Sequence, residues 1–370
     1  MLSSSIAFIF IAFITVPMLL IPSPIHWKAK NAGTVLIIGW TTLGNITDAI
    51  SVIVLLNAQS VTAPHWCDFA AAMKYTWRTG CCTGGLILLR RLTIIASTQS
   101  ANKSKDEKVK VFLIEMILGL LIPILQVVFH LVVQGHRLDE IQDFGCFAPI
   151  YPSVASVFLV MVYPVTITVI SAIYGAIRAL MVRRKEFYRV LNNEDTGITR
   201  SHYLRLMALG IIDLALWLPM SLAFLIIDLT NLNLRPYVSW SHVHSGFNKI
   251  GFVLISELMQ HSYTDYVAAE LSRWIGPAIA LNFFIFFGVK PEIWKYYSHH
   301  FMKLLSAITC TTTTKHQEPE HQQQDYVPPT STNSIRSLCN TKLTDSLRNS
   351  LSSASELDIE KAESLAKVTE

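Results

Sequence analysis

Phe69-Ala-Ala-Ala-Met-Lys74-Tyr-Thr-Trp77-Arg78-Thr-Gly80-Cys81-Cys82-Thr-Gly84-Gly85-Leu-Ile-Leu-Leu89-Arg90-Arg91-Leu-Thr93-Ile-Ile-Ala-Ser97 is the stretch on which the fold turns. Its second half is apolar, but two cations stand early and two late. A helix needs about 20 mostly apolar residues to cross the hydrocarbon layer of a bilayer. Other stretches meet that condition more plainly. Residues 2–21 and 151–177 carry no charge, 34–58 only Asp48, 111–134 only Glu115, and 206–227 only Asp213. Residues 267–289 carry Glu270 and Arg273 near their start and are uncharged from Trp274 onward. With 69–97 counted as a crossing helix, the fold class is all-α, an integral membrane bundle of seven transmembrane helices.

Composition agrees with burial in lipid. The 370 residues are 51% hydrophobic and 15% charged, against about 25% charged in soluble domains. The apolar residues form unbroken runs and not periodic stripes. Residues 2–21 read as a span and not as a cleaved leader, because no Lys or Arg precedes the run, the run is too long, and no small-residue cleavage site follows. Pro17, Pro123, Pro164, Pro219 and Pro277 fall inside spans. Neighbouring helices and hydroxyl groups can satisfy the carbonyls such prolines free.

Lysine and arginine set the orientation. Lys28, Lys30, Arg90, Arg91, Lys103, Lys105, Lys108, Lys110, Arg178, Arg183, Arg184, Lys185, Arg189, Arg200, Arg205, Lys290, Lys295 and Lys303 fall on one side of the spans. Only Lys74, Arg78, Arg137, Arg235, Lys249 and Arg273 fall on or toward the other. The positive-inside rule makes the first side cytoplasmic, so seven spans place the N-terminus outside and the C-terminus in the cytoplasm. Residues 1–305 then form the transmembrane domain. Residues 306–370 are rich in Thr, Ser, Gln, Pro and charge and are expected to be a disordered cytoplasmic tail. The long outer segment 228–266, rich in Trp, Tyr and His, is expected to fold over the bundle mouth.

Several chemistries are missing. The net charge of +4 and the lack of a basic, aromatic-interleaved run argue against nucleic acid. No Gly-x-Ser-x-Gly, phosphate-cradling glycine loop or paired His-Glu helix motif occurs, so no enzyme activity and no cofactor are expected. His242-x-His244 alone is too little for a metal site. The halves show no internal similarity of the transporter kind, and no pore loop is visible. A single bundle with an aromatic outer cap and a basic inner face suits a receptor. Polar residues inside spans are costly and informative: Asn45 and Asp48 share a face of the second span, and Asp213 lies in the sixth. They read as interhelical hydrogen bonding or as parts of a switch.

The loop motifs are more specific. The first inner loop reads Pro24-Ile-His26-Trp27-Lys28-Ala-Lys30-Asn31-Ala-Gly33, with Trp40 beyond. The third span opens Pro64-His-Trp66-Cys67-Asp68 and closes Leu88-Leu89-Arg90-Arg91-Leu92. Then come Leu121-Ile-Pro123, Val133-Gln134-Gly135-His136-Arg137, Asp143-Phe-Gly145-Cys146, Tyr237-Val-Ser-Trp240-Ser-His-Val243-His244, Arg273-Trp274 with Pro277, and Phe283-Phe284-Ile-Phe286-Phe287-Gly288. Together they resemble the fungal mating-pheromone receptors of the Ste3 type over about residues 24–300. The sequence differs from the family at Thr47-Asp48-Ala-Ile-Ser51 and at Arg90-Arg91-Leu-Thr93.

The resemblance implies a plasma-membrane G-protein-coupled receptor for a prenylated peptide pheromone, with a heterotrimeric G protein and membrane lipid as partners and a homodimer as a further arrangement. The alternatives are an orphan or constitutively active receptor of the same fold, and a seven-span transporter or membrane hydrolase. Cys67 and Cys146 stand near the oxidising outer surface, where a disulfide or two free buried thiols are the readings. Lys74 and Arg78 need partners, with Glu270, Asp265 and Glu257 as acidic candidates, or else they contact ligand. Trp77, Tyr151, Trp240, Tyr266 and Trp274, with His244, are candidates for a groove taking isoprenoid and peptide; singly such aromatics also anchor at membrane boundaries. Arg90, Arg91, Arg183, Arg184, Lys185, Arg189 and Arg205 are candidates for G-protein coupling, against a role in topology and anionic-lipid contact.

Overall fold

The structure is a computed structural model that describes residues 2–96, 105–182, 200–231, 234–289 and 297–298. The chain divides into two compact units, Met1–Ile293 and Trp294–Glu370. The expected tail, 306–370, lies outside the described residues.

Long helices dominate. They are α1 (Leu2–Leu20), α3 (Ala32–Val54), α4 (Pro64–Ala96), α5 (Lys105–Val132), α7 (Val162–Val182), α8 (Arg200–Asn231) and α11 (Tyr263–Phe283). Short helices α2 (Ser23–Lys28), α6 (Val154–Ser156), α9 (Trp240–Val243) and α10 (Ile255–His261) lie in connections. A π-helical turn, Val157–Met161, leads from α6 into α7 just ahead of Pro164, and another, Phe284–Gly288, ends α11. Six of the long helices are long and apolar enough to cross a membrane. The remaining one, α4, is not among them but is 33 residues long, about 50 Å at 1.5 Å per residue. It packs against α3, α5, α7 and α8.

Two glycine–tryptophan contacts fix how α3 meets α4. A Cβ on Gly44 of α3 would run into the indole of Trp77, and one on Gly80 of α4 into the indole of Trp40. Each helix thus seats its partner's largest side chain on a bare stretch of backbone. Small residues at crossings bring membrane helices close enough for dispersion contacts to hold them. A third junction joins α1, α3 and α11. Asn45 donates to Thr15 Oγ1 at 3.0 Å, and Gly276 leaves room for the Asn45 amide. Asn45 therefore makes an interhelical hydrogen bond.

A three-stranded sheet sits in the connections after α5 and α8, in the order β2 (Gly145–Phe147), β1 (Leu138–Ile141), β3 (Ile250–Val253). β1 and β2 are antiparallel, with Glu140 opposite Cys146; β1 and β3 are parallel, with Leu138 opposite Ile250. Strand β3 is how the long outer segment joins the cap. The segment is tied further by Tyr237, which donates to the carbonyl of Val132 at 3.2 Å. The hairpin between β1 and β2 turns through Asp143 and Gly145, both at positive φ. Its Asp143 accepts from the amide of Asn57 at 2.8 Å and takes the Ser5 hydroxyl on its carbonyl at 3.1 Å. Glu140, fully buried, accepts from the amides of Thr62 and Ala63 at 2.7 and 3.1 Å. Both amides lie just ahead of Pro64, where α4 begins, and a carboxylate there complements the helix dipole.

Candidate functional site

Cys67, near the start of α4, is joined to Cys146 of β2, with Cα atoms 5.1 Å apart. The next side chain on β2, Phe147, roofs a cavity of about 280 Å³. One face of α4 supplies Tyr75, Arg78, Thr79 and Cys82. One face of α8 supplies Trp217, Met220, Ser221, Phe224 and Leu225, and Gln126, Ile150, Val160, Met161 and Pro164 complete the wall. The spacing of three and four on α4 and α8 is that of a single helix stripe. The π turn places Val160 and Met161 on the wall.

The lining is apolar apart from a few convergent polar groups. Arg78 donates to Ser272 Oγ at 3.1 Å, while its Nε has no hydrogen-bond partner. Among the described residues no carboxylate stands within ion-pair distance of it, and Asp48 acts on it only from farther off. Gln126 donates to the carbonyl of Val160 at 3.4 Å and leaves its Oε1 without a partner. An apolar chamber with one unpaired cation and one open amide oxygen can take a mostly hydrocarbon ligand that also carries carbonyl and N–H groups.

The residues singled out from sequence scatter over several places. Arg78 lines the cavity. Trp77 is buried at 1% exposure beneath it, edge-on to Trp217 at 5.8 Å. Lys74 faces Asp48 of α3 at 3.9 Å and lies 3.7 Å from the centre of the Phe147 ring. Glu270 is not the partner of Lys74 or Arg78: it pairs with Arg273 at 2.5 Å and accepts from Ser4 at 2.8 Å. Geometry explains the difference, since Arg273 stands one turn along the same helix. Tyr266 and Trp274 belong to that region, packing edge-on against Phe144 and Phe8. Trp240 stacks on His244 at 3.9 Å and is 56% exposed. His244 also reaches the carbonyl of Leu131 at 2.9 Å, and Tyr151 meets the neighbouring His242. These aromatics therefore form no single groove.

A second cavity of about 290 Å³ opens between α4 and α5 near Asp68, His130 and Arg137. Arg137 grips Asp68 through two hydrogen bonds of 3.0 and 2.5 Å, which push its guanidinium pKa further up. At the other end of α4, Arg90 meets Glu115 at 3.4 Å. Arg91 donates to the carbonyls of Lys30 and Ala29 just past α2. Arg205 lies in the first turns of α8, half-buried. Arg183, Arg184, Lys185 and Arg189 lie outside the described residues.

Residues 7–306 match the Pheromone A receptor (STE3) family. The chain belongs to that family. Among similar proteins, Pheromone receptor 2 of Mycosarcoma maydis is 30% identical over 81% of this chain and 86% of its own length. Pheromone receptor 1 of the same organism is 29% identical over 80% of this chain and 83% of its own length. The Pheromone B alpha 1 receptor of Schizophyllum commune is 29% identical over 78% of this chain, and the match spans 45% of that longer protein. The STE3 family is one of receptors and not of enzymes. Membership, with several membrane-crossing helices, makes this a multi-pass membrane protein.

The cavity residues Gln126, Phe147, Met161, Trp217, Met220 and Phe224 were not singled out by sequence. Phe147 had a signal, its place beside Cys146. The apolar residues had none, because a side chain facing a cavity and one facing lipid read alike.

Proposed function

We propose that this protein is a plasma-membrane receptor for a lipidated peptide mating pheromone and that it activates a heterotrimeric G protein. In this reading α4 is the third of seven spans, the N-terminus is outside, and the C-terminus is cytoplasmic. The length of α4 and its packing among four other long helices support the seventh span. The observation that carries the function is the cavity roofed by Phe147, apolar on its walls with the Arg78 guanidinium unpaired at its side. The isoprenoid fills the apolar part, and Arg78 donates to a carbonyl at the peptide's lipidated end. The disulfide holds the roof strand to α4, so the ligand binds against a preset lid. Ligand pressing on Trp217 is transmitted to Trp77 and the α3 crossing, and Pro219, two residues on, lets α8 bend. Two conformations are then stabilised unequally by the ligand. The cytoplasmic ends of α4, α7 and α8, with the basic segment between the last two, present the surface for the G protein.

The test is expression in a reporter strain of the pheromone pathway, challenged with candidate peptides in prenylated and unprenylated form. A dose-dependent response confined to prenylated peptides supports the reading. A constant output with or without peptide would make the chain a constitutive or orphan receptor. No output from a receptor present at the cell surface, across the prenylated panel, would count against pheromone sensing.

A further inference from the structure

Asp213 has no part in the fold's junctions or in the ligand cavity. It lies in the middle of α8 at 5% exposure, and its Oδ1 has no hydrogen-bond partner. A chamber of about 10 Å³ opens beside it, lined by Gly85 of α4, Thr168 and Ser171 of α7, and Gly210, Asp213 and Trp217 of α8. That volume takes one particle the size of a water molecule. Gly85 keeps it open, since a Cβ there would stand 2.6 Å from Asp213 Oδ2.

Cys82, Leu89 and Leu214 make the rest of the lining apolar, and the Trp217 indole N–H beside Asp213 has no acceptor of its own. Thr168 Oγ1 donates to the carbonyl of Val165 at 2.9 Å, and Ser171 Oγ donates to that of Ile167 at 2.8 Å. Their protons are committed, so each hydroxyl offers the chamber only oxygen lone pairs. Asp213 adds a carboxylate oxygen. Among the described residues no Lys, Arg or His forms an ion pair with Asp213. An ionised carboxylate at membrane depth is strongly unfavourable without a counter-charge. Oxygen donors suit hard cations. One carboxylate balances one positive charge, and a space of this size takes a small ion.

We propose that the chamber binds one sodium ion, held by the Asp213 carboxylate and the hydroxyl oxygens of Thr168 and Ser171. The ion neutralises Asp213 and ties α7 to α8. It also touches Trp217, a wall of the ligand cavity, so its occupancy bears on the shape of that cavity.

The experiment uses the full chain purified in detergent. Its melting temperature is followed as sodium chloride replaces choline chloride at constant ionic strength, with potassium chloride as a parallel series. The expected result is a saturable rise with sodium and a much smaller one with potassium. Asp213→Asn removes the rise, and Ser171→Ala shifts half-saturation to about tenfold higher sodium, the scale of one lost contact to a charged group. Equal melting in sodium, potassium and choline overturns the proposal, as does an undiminished sodium effect in Asp213→Asn. Should Asp213→Asn fail to fold, ²³Na NMR line broadening decides the matter on the unaltered chain and on Ser171→Ala. Broadening that is absent, or identical in the two, overturns it.

Discussion

Lys74 and Asp48 form a charge pair at 3.9 Å whose side chains are each 8% exposed. At an effective dielectric constant of about 20, their attraction is about 4 kcal/mol. Lys74 also sits over the Phe147 ring, a contact worth about 2 kcal/mol once desolvated. Removing one partner strands the other's charge in the bundle. Lys74→Met or Asp48→Leu alone is therefore expected to cost about 3–5 kcal/mol, whereas both together cost less than the two single costs summed, the remainder being the support Asp48 also gives the buried Arg78. The assay is a double-variant cycle on unfolding in mixed detergent–SDS micelles, with surface expression measured in parallel. Costs that simply add would refute the pair as a structural element. The cycle also separates two roles. A folded double variant with an unchanged pheromone dose–response assigns Lys74 to structure. A folded double variant that no longer responds would return Lys74 to the ligand site.

The helix junctions and the cap give three further outcomes. Gly44→Ala and Gly80→Ala each push α3 and α4 apart and are expected to cost about 1–3 kcal/mol in the same unfolding assay, with wild-type stability counting against the glycine–tryptophan seats. Cys67→Ser and Cys146→Ser release the roof strand and are expected to lower surface expression equally, with the double variant no worse than either alone; additive losses would mean the two act apart. Glu140→Gln leaves the amides of Thr62 and Ala63 with a neutral acceptor, and a loss of about 1–2 kcal/mol is expected, read as a lower melting temperature.

The long helices were legible because each apolar run is continuous and the few charges inside them are isolated. The charged helix α4 was harder: its cations turn inward to Asp48, Ser272 and Phe147 or, at its end, meet Glu115 and the carbonyls of Lys30 and Ala29, and hydropathy does not distinguish these cases. The two outer cysteines pointed to the cap, yet the sheet did not show. Its strands are three or four residues long, and β1 pairs in parallel with β3 from a connection more than a hundred residues away. The partner of Lys74 was missed for a similar reason. Asp48 was recognised as a costly intramembrane charge, but linear spacing does not say which helix faces which. Among the proposed ligand groups, aromatic type alone placed Trp240 and Tyr266 beside Arg78, while packing separates them.

In the proposed receptor the lipid of the pheromone occupies the chamber beneath Phe147. A prenylated peptide carrying a photoreactive group within its isoprenoid tests this directly, by crosslinking to the receptor and sequencing the modified fragments. Labelling is expected on α7 and α8 near Met161, Met220 and Phe224, reduced by excess unlabelled pheromone and by Phe224→Trp, which fills the chamber. Competable labelling confined to the outer segment around Trp240, or to the α1–α11 region around Trp274, would contradict the account.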